Sequence, residues 1–150
     1  MQARIKNPAS VLPGAMEGIQ TLMASAFKSG VPKEVLHLVH LRASQINGCS
    51  ACVDGGIKHA KAAGVNDDRL HMVAAWHEAP NFSDAERAAL ALAEAVTRLD
   101  ARDRVPDDVW AAAAAHYGER GLAGLILWIA LTNLFNRVNI ATRQVAGAAW

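Results

Sequence analysis

Leu41-Arg-Ala-Ser-Gln-Ile-Asn-Gly-Cys-Ser-Ala-Cys-Val-Asp54 reads as the end of one helix and the start of the next. Asn47 and Gly48 are the residue types best able to take the left-handed conformation that closes a helix. The chain restarts at once with Cys49. Upstream, Pro32 stands at a first-turn position, and Lys33 to Ile46 carries Val35, Leu38, Val39 and Ile46 on one face with the stem of Arg42. Downstream, Cys49 to Ala63 continues as a helix that Gly64 ends. Cys49 and Cys52 therefore share one helix face within a turn. Their Cα atoms fall within the range a disulfide spans, roughly 4.4–6.8 Å.

Working outward, the same punctuation repeats. Gly14 to Ser29 is a helix closed by Gly30, and Asp67 to Trp76 is a helix that starts at Asn66 or Asp67 and stops before Pro80. Ser83-Asp-Ala-Glu86 is a capping box, followed by an apolar face of Ala89, Leu92, Ala93, Val96 and Leu99. Pro106 opens a helix that carries the alanine run 111–115 and ends at Gly118; a last helix spans Glu119 to Val145. No segment alternates as a strand would, and no linker divides the chain. The expectation is a single all-α domain of six to seven helices over residues 1–150. The last helix is apolar on nearly every side from Leu122 to Phe135, which predicts contact with a second subunit.

Fifteen basic and fourteen acidic residues give a formal charge of +1, so no field favours nucleic acid or an anionic membrane. The Leu122–Phe135 run is shorter than the roughly 20 residues of a membrane span. The polar, basic segment Met1–Asn7 precedes no apolar run, so no signal peptide and a cytoplasmic location are expected. Two cysteines three positions apart, in a reducing compartment, suit a metal clip or a redox couple better than a disulfide scaffold.

Three readings of the pair compete. A zinc site needs two further ligands, and although His37, His40 and His59 are near in sequence, no second Cys-x-x-Cys or His-x3-His completes a set. Inert core cysteines are the second reading. The third is a redox couple: at a helix N-terminus, unpaired N–H groups and the helix dipole favour a thiolate, and the second sulfur resolves the adduct of the first. Spacing and position favour the redox couple. A thioredoxin domain is excluded by the lack of a βαβ setting.

The segment Leu41–Asp54 resembles the core of the alkylhydroperoxidase AhpD-like family, within the carboxymuconolactone decarboxylase superfamily. Ala74-Ala-Trp76, the run from Phe82 to Leu99 and Asn136-Arg-Val-Asn-Ile-Ala141 agree, so the resemblance covers about residues 35–142. It implies an all-helical fold that assembles as a dimer, trimer or hexamer. It also implies thiol-dependent reduction of a hydroperoxide substrate, with Cys49 and Cys52 cycling between dithiol and disulfide and a dithiol protein partner restoring them. No metal and no cofactor are implied. In the family pattern a glutamate twelve positions before the first cysteine and a histidine four after the second relay a proton. Here those positions hold His37 and Gly56.

His37 is the candidate base at the first of these, since an imidazole titrates near neutrality. A simple hairpin turning at Gly48 nevertheless sets position 37 opposite position 59. His40 shares a face with His37, and its default is an ordinary helix-surface residue. His59, a turn beyond Gly56, reads as a solvated side chain. Asp54 points away from the sulfurs, His77 and Glu78 end a helix, and Asn133, Asn136, Arg137 and Asn139 form a polar network or interface. The expected catalytic set is Cys49, Cys52 and His37. The altered relay keeps open a redox-sensing or disulfide-reducing role without peroxide turnover, and, more remotely, a lactone decarboxylase.

Overall fold

Pro32, Asn66, Ser83 and Pro106 each stand immediately before a helix, and between them they divide most of the chain. The structure, a computed structural model, describes residues 2–99 and 104–148. Among the described residues there are seven helices and no strand: α1 (Pro8–Val11), α2 (Ala15–Phe27), α3 (Lys33–Asn47), α4 (Ser50–Ala62), α5 (Asp67–Met72), α6 (Asp84–Thr97) and α7 (Asp107–Thr142). The all-α expectation therefore holds. Helix α7 is two arms, broken at Gly118 with φ 58° and ψ −178°. The break falls where the sequence placed a helix end.

Four boundaries differ from expectation. Cys49 is the N-cap of α4 rather than its first residue. The helix expected to reach Trp76 ends at Met72 and continues as a 3-10 turn, Val73–Ala75. Helix α6 ends at Thr97, leaving Leu99 outside its apolar face and 52% exposed. The last arm stops at Thr142, because Arg143 takes a left-handed conformation. The short helix α1 was not expected; Asn7 caps it by accepting the Ala9 N–H at 2.9 Å.

Helix α3 is central, packing on α4, α6 and α7. One side of it buries Leu36 and Val39 among Ala89, Leu92, Ala93, Leu125, Trp128 and Ile129. The other side buries Leu38 and Leu41 with Ala60, Leu70, Val73, Trp76 and Phe82. Each such leucine contributes roughly 1.5–3 kcal/mol by leaving water. Several polar groups in this core are paired: Trp128 Nε1 donates to the Leu36 carbonyl at 2.8 Å. Glu94 accepts from Arg42 at 2.7 Å and from Trp76 Nε1 at 2.8 Å. The capping box at Ser83 and Glu86 is formed in both directions.

The last arm of α7 is covered largely by its own chain, with Leu122, Leu125, Trp128, Ile129 and Leu131 buried. Leu134 and Ile140 remain 40% and 48% exposed. By length and composition α7 is apolar enough to cross a membrane, yet 56% of its most apolar window is buried inside this fold.

Candidate dithiol site

The C-cap of α3 builds the site. Gly48 adopts φ 68°, so the chain reverses in one residue and α4 returns along α3. Asn47 locks this turn to α7, donating both amide hydrogens, to Asn133 Oδ1 at 2.9 Å and Asn136 Oδ1 at 2.8 Å. Asn136 in turn donates to Ser44 Oγ at 3.1 Å. The polar residues of the last helix thus form the structural network the sequence suggested, aimed at the base of the dithiol.

Cys49 and Cys52 are both buried, their sulfurs 2.6 Å apart and sharing a hydrogen bond. The thiolate of one accepts the S–H of the other, so the first proton leaves the pair easily and the second is held. This bond from Cys52 is the main cause that brings the Cys49 thiol down to about 6, against burial that opposes it. The backbone N–H of Cys52 and the amides of Asn139 and Asn136 add to the lowering. The Cys52 thiol is pushed above its ordinary range, first by the bond to Cys49 and then by burial. Asn139 Nδ2 donates to Cys52 Sγ at 3.1 Å.

The two sulfurs face different spaces. Cys52 lines a cavity of about 400 Å³ whose walls include Met23, Phe27, Trp128 and Phe135. Cys49 lines a more polar cavity of about 330 Å³ with Ser50, Arg143 and Gln144. Ala51 and Asn139 belong to both.

His37, His40 and His59 all line the Cys52 cavity, at different depths. His37 rests against Phe27, with ring centroids 5.5 Å apart, and against His59 at 6.1 Å. Position 37 thus lies opposite position 59, as the hairpin geometry predicted. No hydrogen bond joins His37 to either sulfur among the described residues. Burial, and then the neighbouring His59, lower its pKa from the ordinary imidazole value, which favours the neutral ring.

His40 is the imidazole nearest the dithiol backbone. Its Nε2 lies 3.3 Å from the Cys52 carbonyl and its Nδ1 lies 3.2 Å from Thr132 Oγ1. The ring stacks on Trp128 with an interplanar angle of 28°. Burial brings its pKa down to about 4, so the neutral ring donates from Nε2 to the carbonyl, with Nδ1 facing Thr132 Oγ1. A Cβ on Gly56 would stand 2.8 Å from His40 Cδ2. The glycine at 56 and the histidine at 40 are therefore one feature: the imidazole that α4 lacks at position 56 is supplied to that space by α3.

Sequence reasoning undervalued His40, read as an ordinary helix-surface residue, and gave Asn139 no contact with sulfur. The signal for the first was present in the pairing of a missing side chain at 56 with an extra histidine on α3. Asp54 does lie aside, accepting from Lys58 at 2.7 Å and the Gly147 N–H at 3.1 Å. His77 stacks on Trp76, and Glu86 serves the capping box and Arg69. No cluster of metal-ligating side chains occurs among the described residues.

A buried vicinal dithiol, set at a helix N-terminus and open to an apolar cavity, defines an all-helical thiol protein. The chain belongs to the carboxymuconolactone decarboxylase family, whose model matches residues 13–95, and is AhpD-like within that superfamily. It is 31% identical over 131 residues to the uncharacterised protein YdfG of Bacillus subtilis, covering 87% of this chain and 88% of that one. It is 37% identical over 115 residues to the uncharacterised protein YnjA of Escherichia coli, covering 76% of this chain but only 62% of that longer relative. Among solved structures, ATU0492 from Agrobacterium tumefaciens superposes with a TM-score of 0.89 at 30% identity, covering 99% of this chain and 100% of that one. That protein is of unknown function, with antioxidant defence of the AhpD kind as its suggested role. The debrominase Bmp8, solved with 2,3,4-tribromopyrrole, shares the fold at TM-score 0.82 and 21% identity, covering 93% of this chain and 74% of that one.

Proposed function

We propose that this protein is a thiol-dependent reductase of organic hydroperoxides, with Cys49 and Cys52 as its redox couple. The observation that carries the reading is the pair itself: two sulfurs 2.6 Å apart, sharing one labile proton, with Cys52 at the wall of an apolar cavity. A hydroperoxide entering that cavity meets Cys52. Transfer of the Cys52 proton to the Cys49 thiolate frees Cys52, whose thiolate attacks the distal oxygen as the O–O bond breaks. The alkoxide takes the proton held on Cys49 and leaves as the alcohol, and the Cys52 sulfur becomes a sulfenic acid. The Cys49 thiolate then attacks that sulfur, closing the disulfide, and the expelled hydroxide takes a proton from solvent to leave as water. A dithiol protein reaching Cys49 from its polar cavity returns two electrons and two protons, and is itself oxidised.

His37 fits the proton-handling part. It lines the cavity, burial favours its neutral form, and among the described residues no hydrogen bond occupies its ring. His40 has both ring nitrogens engaged and holds the Cys52 backbone, so it acts as a positioning residue. In a coupled assay the reduced protein consumes cumene hydroperoxide with dithiothreitol as reductant, and both Cys49→Ser and Cys52→Ser abolish turnover. His37→Ala displaces the acid limb of the pH–rate profile; an unchanged profile removes His37 from the mechanism.

A second reading, a redox sensor that forms the disulfide once and does not turn over, is favoured by the glycine at position 56. It predicts stoichiometric disulfide formation with no hydroperoxide consumption above the dithiothreitol background.

A further inference from the structure

The N-terminal segment runs back across the end of α7. The Arg4 N–H donates to the Thr142 carbonyl at 2.9 Å, Arg4 Nη1 to the Ala141 carbonyl at 3.1 Å, and Gln144 Nε2 to the Ile5 carbonyl at 3.0 Å. At the end of this strap, Asn7 Nδ2 donates to Asn139 Oδ1 at 3.1 Å, across 132 positions of sequence. Asn139 is the residue whose other amide atom touches Cys52 Sγ. The strap precedes residues 13–95, the region matched by the family model.

The orientation of these two amides follows from one backbone group. The Ala9 N–H is a donor and must meet an oxygen, so Asn7 turns Oδ1 toward α1. Its Nδ2 then faces Asn139 and requires an acceptor there, which sets Asn139 Oδ1 toward the strap. That leaves Asn139 Nδ2, a donor, toward the sulfur. At 1% exposure Asn139 is held chiefly by these protein partners.

We propose that the N-terminal strap is a positioning device for the dithiol: Asn7, held by the first turn of α1, fixes the Asn139 amide with its N–H toward Cys52 Sγ. A donor aimed at sulfur stabilises the thiolate and the developing charge of thiol–disulfide exchange. The bond from Asn139 lowers the pKa of both cysteines. A flipped amide presents Oδ1 to the same sulfur and repels negative charge. The other titratable or charged groups around the pair are His37 and His40 on α3, His59 on α4 and Arg143 at the end of α7; substitutions at position 7 leave all of them in place. The inference concerns thiol reactivity and does not need peroxide turnover, so it survives or fails separately from the reading above.

The test is the rate of carbamidomethylation of the reduced full-length protein by iodoacetamide as a function of pH. Asn7→Ser keeps a neutral cap for α1 but is too short to reach Asn139. Asn7→Asp keeps the cap and offers Asn139 only acceptors, inviting the flip. Circular dichroism and melting confirm that both variants remain folded. With the positioning role, both variants raise the first apparent thiol pKa by about half to one unit and slow alkylation below that pKa roughly threefold to tenfold. If neither moves, Asn7 merely caps α1 and the proposal fails. If only Asn7→Asp moves, and the effect vanishes in high salt, the cause is added charge and the proposal also fails.

Discussion

Gly56 and His40 lie on different helices and share one volume. An alanine at 56 gains about 1 kcal/mol of helix propensity over glycine, but its Cβ would meet a ring held by Trp128, Thr132 and the Cys52 carbonyl. A clamped ring cannot swing aside as a free side-chain end would, and overpacking costs about 1–3 kcal/mol. Gly56→Ala is therefore expected to be neutral to destabilising by up to about 2 kcal/mol in the wild-type background. In a His40→Ala background the same substitution becomes stabilising, because the ring is gone and only the propensity gain remains. Urea unfolding of the four proteins measures the coupling; additive effects would separate the two residues. At this scale the sequence disclosed the two cysteines and the mutual placement of positions 37 and 59, since both follow from spacing along a helix and a turn at Gly48. It did not disclose His40 over Gly56, which depends on the rotation of α3 about its own axis. Nor did it disclose Asn139 at the sulfur, 87 positions from Cys52, because no local rule links them.

Helix ends, by contrast, were legible wherever a residue has a backbone reason to be there. Ser83 with Glu86, Pro32, Pro106 and Gly48 each satisfy or remove orphan backbone groups, and each boundary falls within a residue of its signal. The misses lie where packing decides. The 3-10 turn after α5 draws Val73 and Trp76 into the core at the cost of α-helical hydrogen bonds, and α1 exists because the strap lies on α7. Gly118 makes the most consequential break. Its φ of 58° with ψ near 180° is a region occupied almost only by glycine, and it breaks α7 into two arms that both contribute to one core cluster. A Cβ there would meet nothing within 4 Å, so the cost of Gly118→Ala is backbone strain alone, about 1–3 kcal/mol. Chemical denaturation checks this figure. A gain in stability would mean that the two arms fuse into one straight helix without loss, and that the break has no structural role.

For the whole molecule, the partly buried imidazoles tie stability to pH. His40 has its pKa brought down to about 4 by burial, and His37 is lowered by burial and by His59. In the unfolded chain both titrate near 6.5. Below that pH the unfolded state binds protons that the native state refuses, so folding stability falls as pH falls, until the native His40 itself protonates near 4. Other groups are separable by their windows. Glu86 and Glu94 are held below the ordinary carboxylate range by Ser83 and Arg69, and by Trp76 and Arg42, against burial that opposes them. Their contribution is complete above their unfolded value and is lost only at lower pH, from about 4.5 downward. Cys49, with its thiol near 6, adds stability as pH rises above that value. Between pH 6.5 and 4.5 the slope therefore belongs chiefly to the imidazoles. His40 alone accounts for a loss of up to about 2–3 kcal/mol across the interval, at about 1.4 kcal/mol per unit. Urea unfolding of the reduced protein at half-unit steps should show this decline, and His40→Gln, which can still donate to the Cys52 carbonyl, should flatten most of it. If the variant keeps the wild-type slope, His40 is not the group that couples this fold to acid, and the imidazole over Gly56 is solvated rather than enclosed.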